Sequence, residues 1–374
     1  MVKRGSLLPL FLWKSWYLTA MENNTFLLYG ANGYTGRLIA DMARDYGLRP
    51  ILAGRNATAI KAQADQLGLD YRVFDLDDQR SLENALLGVP LVLHAAGPFF
   101  RTYKKMVQAC LATNTHYLDI TGEIGVFEGV KRMNDLALQA GLMLMPGVGF
   151  DVVPTDCMAA FLKQEQPDAT HLKLAFATIG GKLSHGTSMT MAEGLGEGGA
   201  ARIDGKITKQ ALGKKGMWVD FGKKKLFTMT IPWGDVSTAF VTTGIPNIET
   251  YTTVAPKQFK ILKWQFLFNW ALRTSMVRNY IKKQIAQKPA GPSAEIRETA
   301  NSYIWGQVQN AAGEKKTARL VCPEGYKLTA ISSLIIAKKV LEGNFKPGYQ
   351  TPAGLYGSDL VLEIPGVSRT LIQD

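Results

Sequence analysis

Three glycines spaced three residues apart constrain the fold of this chain more than any other feature. Gly30, Gly33 and Gly36 follow the apolar run 26–29 and open a segment with helical periodicity. A turn from a buried strand into a helix directs backbone N–H groups and the positive helix end to one point, where a pyrophosphate can bind. Glycine is needed there because a Cβ would block the tight turn and the approach of the phosphate. The pattern predicts a dinucleotide site formed by Gly30, Asn32, Gly33, Tyr34, Thr35 and Gly36.

The alternative for this motif is a glycine-rich surface turn in an unrelated α/β domain. It stays open because the spacing is G-x-x-G-x-x-G rather than G-x-G-x-x-G. The surrounding sequence favours the nucleotide site, since the predicted helix ends at Gly47, Pro50 follows, and a second apolar run covers 51–53.

The residues after the second apolar run predict which coenzyme binds. In NAD sites an acidic residue near the end of the second strand binds the ribose hydroxyl, whereas an arginine there accommodates the 2′-phosphate of NADP. Here Gly54 is followed by Arg55, whose planar guanidinium suits phosphate oxygens. We therefore predict NADP. The alternative is a solvated Arg55, with Asn56 only capping the predicted helix 57–67.

Further apolar runs follow at helix-length intervals. They predict strands at 71–74, 91–94, 117–118 and 142–145. Six strands alternating with helices are typical of an α/β fold with a parallel, doubly wound, Rossmann-like sheet, in which ligands bind beyond the carboxyl ends of the strands. At these ends we expect Asp75 to face the adenine, and Ala96, Gly97 and Pro98 to line the path to the nicotinamide.

Length and cysteine usage indicate a two-domain protein of a reducing compartment. The 374 residues are enough for two domains. Cys110, Cys157 and Cys322 are widely spaced and form no C-x-x-C pair, which argues against a disulfide framework. The four histidines lack metal-ligand spacing, so we expect no metal site. We expect a cytoplasmic protein.

Residues 1–20 are treated as an N-terminal extension. They resemble a short signal peptide, but Lys14 interrupts the apolar region and no small-x-small cleavage site follows. Two interpretations stay open, an upstream translation artefact before Met21 or a flexible basic anchor.

The net charge of +12 is unevenly distributed, because residues 21–150 are close to neutral. Residues 250–294 contain eight basic residues and no acid, interleaved with Phe259, Trp264, Phe266, Phe268, Trp270 and Tyr280. This mixture is typical of a segment on an anionic membrane surface, and the alternative is a helix with an apolar core face and a solvated basic face. No apolar run approaches the roughly 20 residues that span a bilayer. Nucleic acid is disfavoured because no binding motif is present.

The spacing of tyrosines and lysines disfavours one common reductase chemistry. In that chemistry a lysine four residues after a tyrosine lowers the pKa of the phenol for proton exchange. None of the thirteen tyrosines has a lysine at this position, and the lysines next to Tyr103 point to other helix faces. Ordinary short-chain dehydrogenase chemistry is therefore disfavoured.

Five sequence blocks resemble the saccharopine dehydrogenase-like family, including its trans-acting enoyl reductase branch. They are LLYGANGYTGR at 27–37, AGR at 53–55, AGPF at 96–99, HYLDITGE at 116–123 and GFDVVPTD at 149–156. The resemblance covers about the first 160 residues and the tail segment 347–352, whereas 160–320 is weakly matched. It implies an NADP-binding domain over 21–150, an α+β substrate domain over 151–325, and reduction of a C=N or C=C bond by hydride.

Candidate substrate residues follow from the strand ends and the glycine-rich segments. Asp119, Glu123 and Asp151 lie near predicted strand ends and are candidates for positioning the substrate, with helix capping as the alternative. Segments 181–188 and 193–199 are candidate substrate loops, with plain surface loops as the alternative. The sequence identifies no proton donor.

The last segment, 326–374, is predicted to begin with a helix over 326–341 and to return to the first domain. The apolar face of this helix has an alternative use as a homodimer contact.

Three functions are compatible with these features. The leading hypothesis is an NADPH-dependent reductase of a lipid-like or otherwise apolar unsaturated substrate. The second is a saccharopine reductase of amino-acid metabolism, which would need an arginine clamp drawn from Arg202, Arg273, Arg278 and Arg297. The third is a catalytically silent NADP-binding sensor or membrane-associated scaffold.

Overall fold

Two β-sheets, one parallel and one mixed, organise the residues that the computed structural model describes, which are 24–373. The N-terminal extension lies outside these residues, so its two interpretations stay open.

The first part of the chain alternates strands and helices, as predicted. The strands are β1 (Thr25–Tyr29), β2 (Arg49–Gly54), β3 (Tyr71–Val73), β4 (Leu91–His94), β5 (His116–Asp119) and β6 (Met143–Met145). The helices are α1 (Tyr34–Met42), α2 (Ala57–Leu67), α3 (Gln79–Leu86), α4 (Phe99–Thr113), α5 (Ile124–Lys131), α6 (Asn134–Ala140) and α7 (Val153–Glu165). The strand order is β6-β5-β4-β1-β2-β3, and every neighbouring pair is parallel. The predicted doubly wound fold is confirmed.

Local sequence explains where these elements begin and end. The strands read as continuous apolar runs because helices cover both faces of the sheet; Leu27 and Leu28 on β1 are both fully buried. After α1 a short 3-10 helix ends at Gly47, whose φ of 71° is the left-handed conformation that glycine adopts readily. The side chain of Asn56 caps α2 by accepting a hydrogen bond from Ala59 N at 3.0 Å.

The second sheet is mixed. Its strands are β7 (His171–Ile179), β8 (Gly199–Ile203), β9 (Lys206–Gln210), β10 (Gly216–Asp220), β11 (Lys225–Ile231), β12 (Asn247–Thr253), β13 (Asn301–Gln309) and β14 (Lys315–Pro323). The helices of this region are α8 (His185–Glu193), α9 (Asp235–Thr243), α10 (Pro256–Leu262), α11 (Asn269–Leu272), α12 (Ser275–Ala286) and α13 (Ala294–Thr299). β7 and β12 pair in parallel, β7 pairs antiparallel with β13, and α7 packs on β13 and β14. This arrangement fits the α+β domain that the resemblance implies.

The tail begins with α14 (Gly325–Leu341), which packs against α1. Its side chains Leu328, Ile331 and Leu334 are buried in a core that also includes residues of both sheets. The apolar face of this helix is therefore covered within the chain and is not available to a second copy.

Two short strands of the tail differ from the sequence prediction. β15 (Gly348–Tyr349) pairs in parallel with β6, so in the described part of the chain the first sheet has seven strands rather than six. A two-residue strand has no periodicity that a sequence pattern could reveal. After α15 (Pro352–Tyr356), β16 (Ser368–Ile372) pairs antiparallel with β14 of the second sheet. The expectation that all of 326–374 returns to the first domain is wrong for β16, because the edge of β14 offers backbone partners there.

Candidate active site

The turn between β1 and α1 brings two backbone segments closer than a side chain would allow. Gly30 has a φ of 86°, and a Cβ added there would lie 2.9 Å from the carbonyl carbon of Ala95. A Cβ added to Gly36 would lie 2.2 Å from the Gly30 oxygen, so only glycine lets α1 approach β1 this closely. Gly33 is exposed, and a Cβ there would have one neighbour within 4 Å, the Gly30 oxygen. This leaves open space above the turn.

The N-terminus of α1 faces that space without a protein cap. Its N-cap residue Gly33 supplies no side chain, and the first turn contains no acidic residue. Arg37 N donates to the Gly33 oxygen at 2.9 Å and is thus the first donor within the helix. The N–H groups of Tyr34, Thr35 and Gly36 come before it and are available to an anion. These residues fit the pyrophosphate of a dinucleotide.

Arg55 and Asp75 lie together at the neighbouring strand ends. Both side chains are exposed, Arg55 directly after β2 and Asp75 two residues after β3, and Gly54 pairs with Val73 between them. Asp75 accepts a 2.9 Å hydrogen bond from Asp77 N, which fixes the turn after β3. An adenosine moiety at this edge would have a cation and a carboxylate within reach.

The end of β4 lies against the glycine turn. Ala95 N donates to the Tyr29 oxygen at 2.8 Å, and a Cβ on Gly30 would lie 3.0 Å from the Cβ of Ala96. Gly97 is exposed, and Pro98 is half-buried directly before α4. The residues that the sequence assigns to the coenzyme follow four strands, β1 to β4, and the structure brings them to one edge of the sheet.

Glu123, one of the three acidic substrate candidates, caps a helix. Its two carboxylate oxygens accept hydrogen bonds from Phe99 N at 2.9 Å and Phe100 N at 3.0 Å, at the N-terminus of α4. The alternative of helix capping is thus correct for Glu123. The capped helix is not the one that follows Glu123 in sequence but one that starts 24 residues earlier.

Asp119 is also structural. It is fully buried, and its carboxylate accepts hydrogen bonds from Tyr117 Oη at 2.6 Å, Thr121 N at 2.9 Å and Gly147 N at 2.9 Å. Burial raises the pKa of this carboxyl to about 6, although the three hydrogen-bond donors lower it. A substrate has no access to Asp119, so the expectation that it positions substrate is wrong.

Asp151 differs from both. It is half-buried, and its carboxyl oxygens have no hydrogen-bond partner among the residues that the structure describes. A Cβ on Gly122 would lie 2.7 Å from Asp151 Oδ2, so this carboxyl rests on the bare backbone after β5. Burial, with the charge of Glu123 as a second cause, raises the pKa of Asp151 to about 7.

Three half-buried aromatic side chains lie beside Asp151. We call Phe150, Phe176 and Trp233 the aromatic wall. The ring centroids of Phe150 and Phe176 are 6.0 Å apart, and those of Phe176 and Trp233 are 4.9 Å apart. Trp233 Nε1 donates to the backbone oxygen of Asp151 at 2.9 Å, which ties the wall to the loop after β6. No local sequence pattern reveals this wall, because its members are far apart in the chain.

Segment 181–188 contacts Tyr326 of α14, which in turn contacts Tyr34 in the glycine turn. Ser184 N donates to Tyr326 Oη at 2.6 Å, and Thr187 Oγ1 is 2.9 Å from the same oxygen. The ring of Tyr326 meets that of Tyr34 edge to face, with centroids 5.1 Å apart. This candidate loop therefore lies near the glycine turn.

Segment 193–199 is held by ion pairs instead. Glu193 pairs with Arg101 of α4 at 3.0 Å and with Lys282 of α12 at 2.5 Å, and Glu197 pairs with Arg278 at 2.6 Å. These contacts favour the alternative of a surface loop for this segment.

Three of the four arginines suggested for a carboxylate clamp donate hydrogen bonds to backbone oxygens instead. Arg202 is buried and donates to the Val236 and Gly205 oxygens at 2.8 and 2.6 Å. Arg273 donates to the Gly196 oxygen, and Arg278 to the Leu195 oxygen, at 2.8 and 2.7 Å. Arg297 alone of the four lies at the glycine turn, where its Nη1 donates to Tyr34 Oη at 2.9 Å.

A second surface feature is formed by 257–288. Its exposed apolar side chains are Ile261, Trp264, Phe266, Leu267, Trp270, Met276 and Tyr280. The same segment carries Lys257, Lys260, Lys263, Arg273, Arg278, Lys282, Lys283 and Lys288. We call these residues the basic aromatic surface. Within 24–373, every helix is too short or too polar to cross a bilayer.

Sequence comparisons match both the first domain and the whole chain. Residues 26–145 match the family model of the saccharopine dehydrogenase NADP-binding domain. A candidate trans-acting enoyl reductase of Mycobacterium tuberculosis is 30% identical over 409 residues, 92% of this chain and 96% of that relative. For a trans-acting enoyl reductase of Mycobacterium ulcerans, the identity is also 30%, but the match spans 37% of this chain and 35% of the relative. The predicted family resemblance and the predicted coenzyme, NADP, are confirmed.

One more distant relative and one solved structure are also similar to this chain. A Caenorhabditis elegans protein named lipid droplet localized protein is 25% identical over 214 residues, 52% of this chain and 50% of that protein. The solved structure of apo saccharopine dehydrogenase (L-Glu forming) from Saccharomyces cerevisiae covers 94% of this chain with a TM-score of 0.64 and 12% identity. At this identity the likeness establishes the fold alone, and it agrees with the predicted fold class.

Proposed function

The chain belongs to the saccharopine dehydrogenase-like family of NADP-dependent oxidoreductases, and from that premise we propose that it reduces a conjugated C=C bond in an apolar, lipid-like substrate. NADPH supplies the hydride when it is bound. Reduction of a C=N bond is the second candidate that the family includes.

The aromatic wall next to Asp151 carries this proposal. Phe150, Phe176 and Trp233 offer apolar contact at the carboxyl edge of the first sheet, where a substrate would meet the nicotinamide. A multiply charged amino acid would instead need several guanidinium groups there. Arg202, with its donors bound to backbone oxygens, is unsuited to that purpose.

We infer the coenzyme position from the strand ends. The pyrophosphate lies over Gly30, Asn32, Gly33, Tyr34, Thr35 and Gly36. The guanidinium of Arg55 binds the 2′-phosphate, and Asp75 lies near the adenine. Ala96, Gly97 and Pro98 line the path to the nicotinamide. The support for this placement is the uncapped α1 N-terminus together with the space above Gly33.

We further propose that the basic aromatic surface binds an anionic phospholipid surface. Lysine and arginine side chains attract anionic headgroups, and exposed tryptophan rings insert at the headgroup level. Trp264 and Trp270 are 62% and 72% exposed, which is unusual for large apolar side chains unless a partner covers them. The name of the C. elegans relative, lipid droplet localized protein, points in the same direction.

Coenzyme oxidation with two substrate panels tests the proposed reaction. We expect the purified protein to oxidise NADPH with long-chain trans-2-enoyl thioesters and to remain inactive with the substrates that form saccharopine. Turnover with the amino-acid substrates alone would establish the second hypothesis. Tight NADPH binding without turnover in either panel would favour the silent sensor.

A further inference from the structure

We propose that Asp151 is the catalytic proton donor of this reductase, and that it delivers its carboxyl proton to the substrate carbon next to the one that accepts the hydride. The inference rests on the proposed function and names the group that the sequence analysis left unidentified.

Asp151 follows β6 at the carboxyl edge of the first sheet. β4, β5 and β6 are neighbours in the parallel sheet, and the loops that follow them contain Gly97, Gly122 and Asp151. Because parallel strands have their carboxyl ends at one edge, these three residues share the side of the sheet that lies away from the adenine. The aromatic wall adjoins Asp151, since Trp233 Nε1 donates a hydrogen bond to the Asp151 backbone oxygen at 2.9 Å.

Comparison with the other buried acids singles out Asp151. Asp119 is fully buried and has three donors. Asp156 is fully buried and accepts from Thr242 Oγ1 at 2.6 Å and Ala353 N at 2.9 Å. Asp235 is fully buried as well, which places it out of reach of a ligand. Asp151 is the one of these four acids that is not fully buried, and its carboxyl oxygens have no hydrogen-bond partner within 24–373.

The surroundings of this carboxyl keep a proton on it. The titratable groups that act on it or respond to it are Glu123 before α5, Asp235 on α9 and Tyr326 on α14. None of these is a cation, so no neighbouring charge among the described residues stabilises the carboxylate. Burial and the negative charge of Glu123 raise the pKa of Asp151 to about 7. A group with such a pKa is suited to general acid catalysis at neutral pH.

The proton balance of the step is simple. Reduction of the C=C bond adds a hydride with its electron pair at one carbon and a proton at the other. The O–H bond of Asp151 breaks, its electron pair stays on the carboxylate oxygen, and a C–H bond forms on the substrate. Water then returns a proton to the carboxylate, so the protein is unchanged after each cycle.

Carboxyl titration is the first test, and it does not depend on turnover. The carboxyl carbons of aspartate, labelled with ¹³C, are followed by NMR from pH 3 to 9 in the protein with and without NADP⁺. We expect one carboxyl with a midpoint near pH 7, absent in Asp151→Asn. If the signal lost in Asp151→Asn instead titrates near the ordinary value of about 3.9, the proposal is overturned.

Single-turnover oxidation of NADPH with a trans-2-decenoyl thioester is the second test. We expect Asp151→Asn to slow this step at least about 100-fold while NADP⁺ affinity changes less than twofold. Asp45→Asn, which changes an exposed carboxylate in the short 3-10 helix after α1, is the matched control and should keep the wild-type rate.

The outcomes of the two tests separate this inference from the proposed function. Wild-type turnover together with an equally active Asp151→Asn variant overturns the proton donor alone. A wild-type protein without turnover on any enoyl thioester overturns the proposed reaction, and proton donation with it.

Discussion

The Tyr34 hydroxyl in the glycine turn donates a 2.6 Å hydrogen bond to the backbone oxygen of Pro292, far away in the sequence. Arg297 Nη1 donates both to this hydroxyl at 2.9 Å and to the Pro292 oxygen at 3.0 Å. A Cβ on Gly291 would lie 2.5 Å from the Tyr34 ring. Segment 291–297 therefore packs directly on the turn where we place the pyrophosphate.

Tyr34→Phe removes this hydroxyl and leaves the ring in place. We expect the free energy of unfolding to fall by about 1 kcal/mol, because the Pro292 oxygen keeps Arg297 as a donor but loses the phenol. Thermal and urea unfolding measure the change. Tyr46→Phe is the control, since that hydroxyl has no hydrogen-bond partner among the described residues, and an equal loss in both variants would contradict the assignment.

Arg55→Asp tests the choice of coenzyme. A charge-assisted hydrogen bond contributes roughly 1.5–3 kcal/mol, so we expect NADP⁺ affinity to fall at least tenfold. NAD⁺ affinity should change little, because it has no 2′-phosphate. Calorimetric titration with both coenzymes measures the ratio. Arg44→Asp, exposed near the other end of the first helix, is the control, and an unchanged NADP⁺ preference in Arg55→Asp would show that Arg55 does not bind the phosphate.

Asp151→Asn should stabilise the protein above neutral pH. The folded state raises the pKa of this carboxyl from an ordinary value near 3.8 to about 7. Between these values the folded state binds more protons than the unfolded state, so the free energy of unfolding falls as pH rises and levels off above pH 7. The asparagine variant has no carboxyl to titrate at this position, so its free energy of unfolding does not fall for this reason. At pH 8 we expect it to be more stable than wild type by on the order of 2–4 kcal/mol, and at pH 4 nearly equal.

Urea unfolding from pH 4 to pH 8 measures that difference. Asp45→Asn, whose carboxylate is exposed, should follow the wild-type profile throughout. Parallel profiles for Asp151→Asn and wild type would mean that this carboxyl is already ionised at low pH in the folded protein.

Leu267→Ala tests the basic aromatic surface. Leu267 is 58% exposed, and its insertion into a phospholipid surface would contribute about 1 kcal/mol, equivalent to a fivefold change in vesicle affinity. Leu136→Ala provides a matched control, because Leu136 is 56% exposed but lies on α6 of the first domain. Cosedimentation with vesicles rich in phosphatidylserine at low and high salt gives the affinities. Equal binding by both variants would exclude this surface as the membrane contact.

The sequence predicted the first sheet well, for a physical reason. Parallel strands covered on both faces appear as uninterrupted apolar runs, so β1 and β4 were recognisable without any tertiary information. The short strand β15 was not, because two residues carry no period, and its place beside β6 depends on contacts made by a distant segment.

The candidate site was predictable on the coenzyme side and less so on the substrate side. The glycines act through local backbone geometry, which the spacing reveals. Asp119, Glu123 and Asp151 all lie at or after strand ends, but only tertiary packing separates the fully buried, the helix-capping and the half-buried carboxylate. The aromatic wall likewise combines residues that no local pattern connects.

The most direct test of the account follows the hydrogen atoms. The protein is incubated with a trans-2-decenoyl thioester and NADPH. The NADPH carries deuterium in place of both hydrogens on C4 of the nicotinamide ring, the carbon that gives up the hydride. Mass spectrometry and NMR should find a saturated thioester with one deuterium on the β-carbon and one solvent-derived proton on the α-carbon. A saturated product without deuterium, or no saturated product at all, would contradict an NADPH-dependent reduction of the C=C bond.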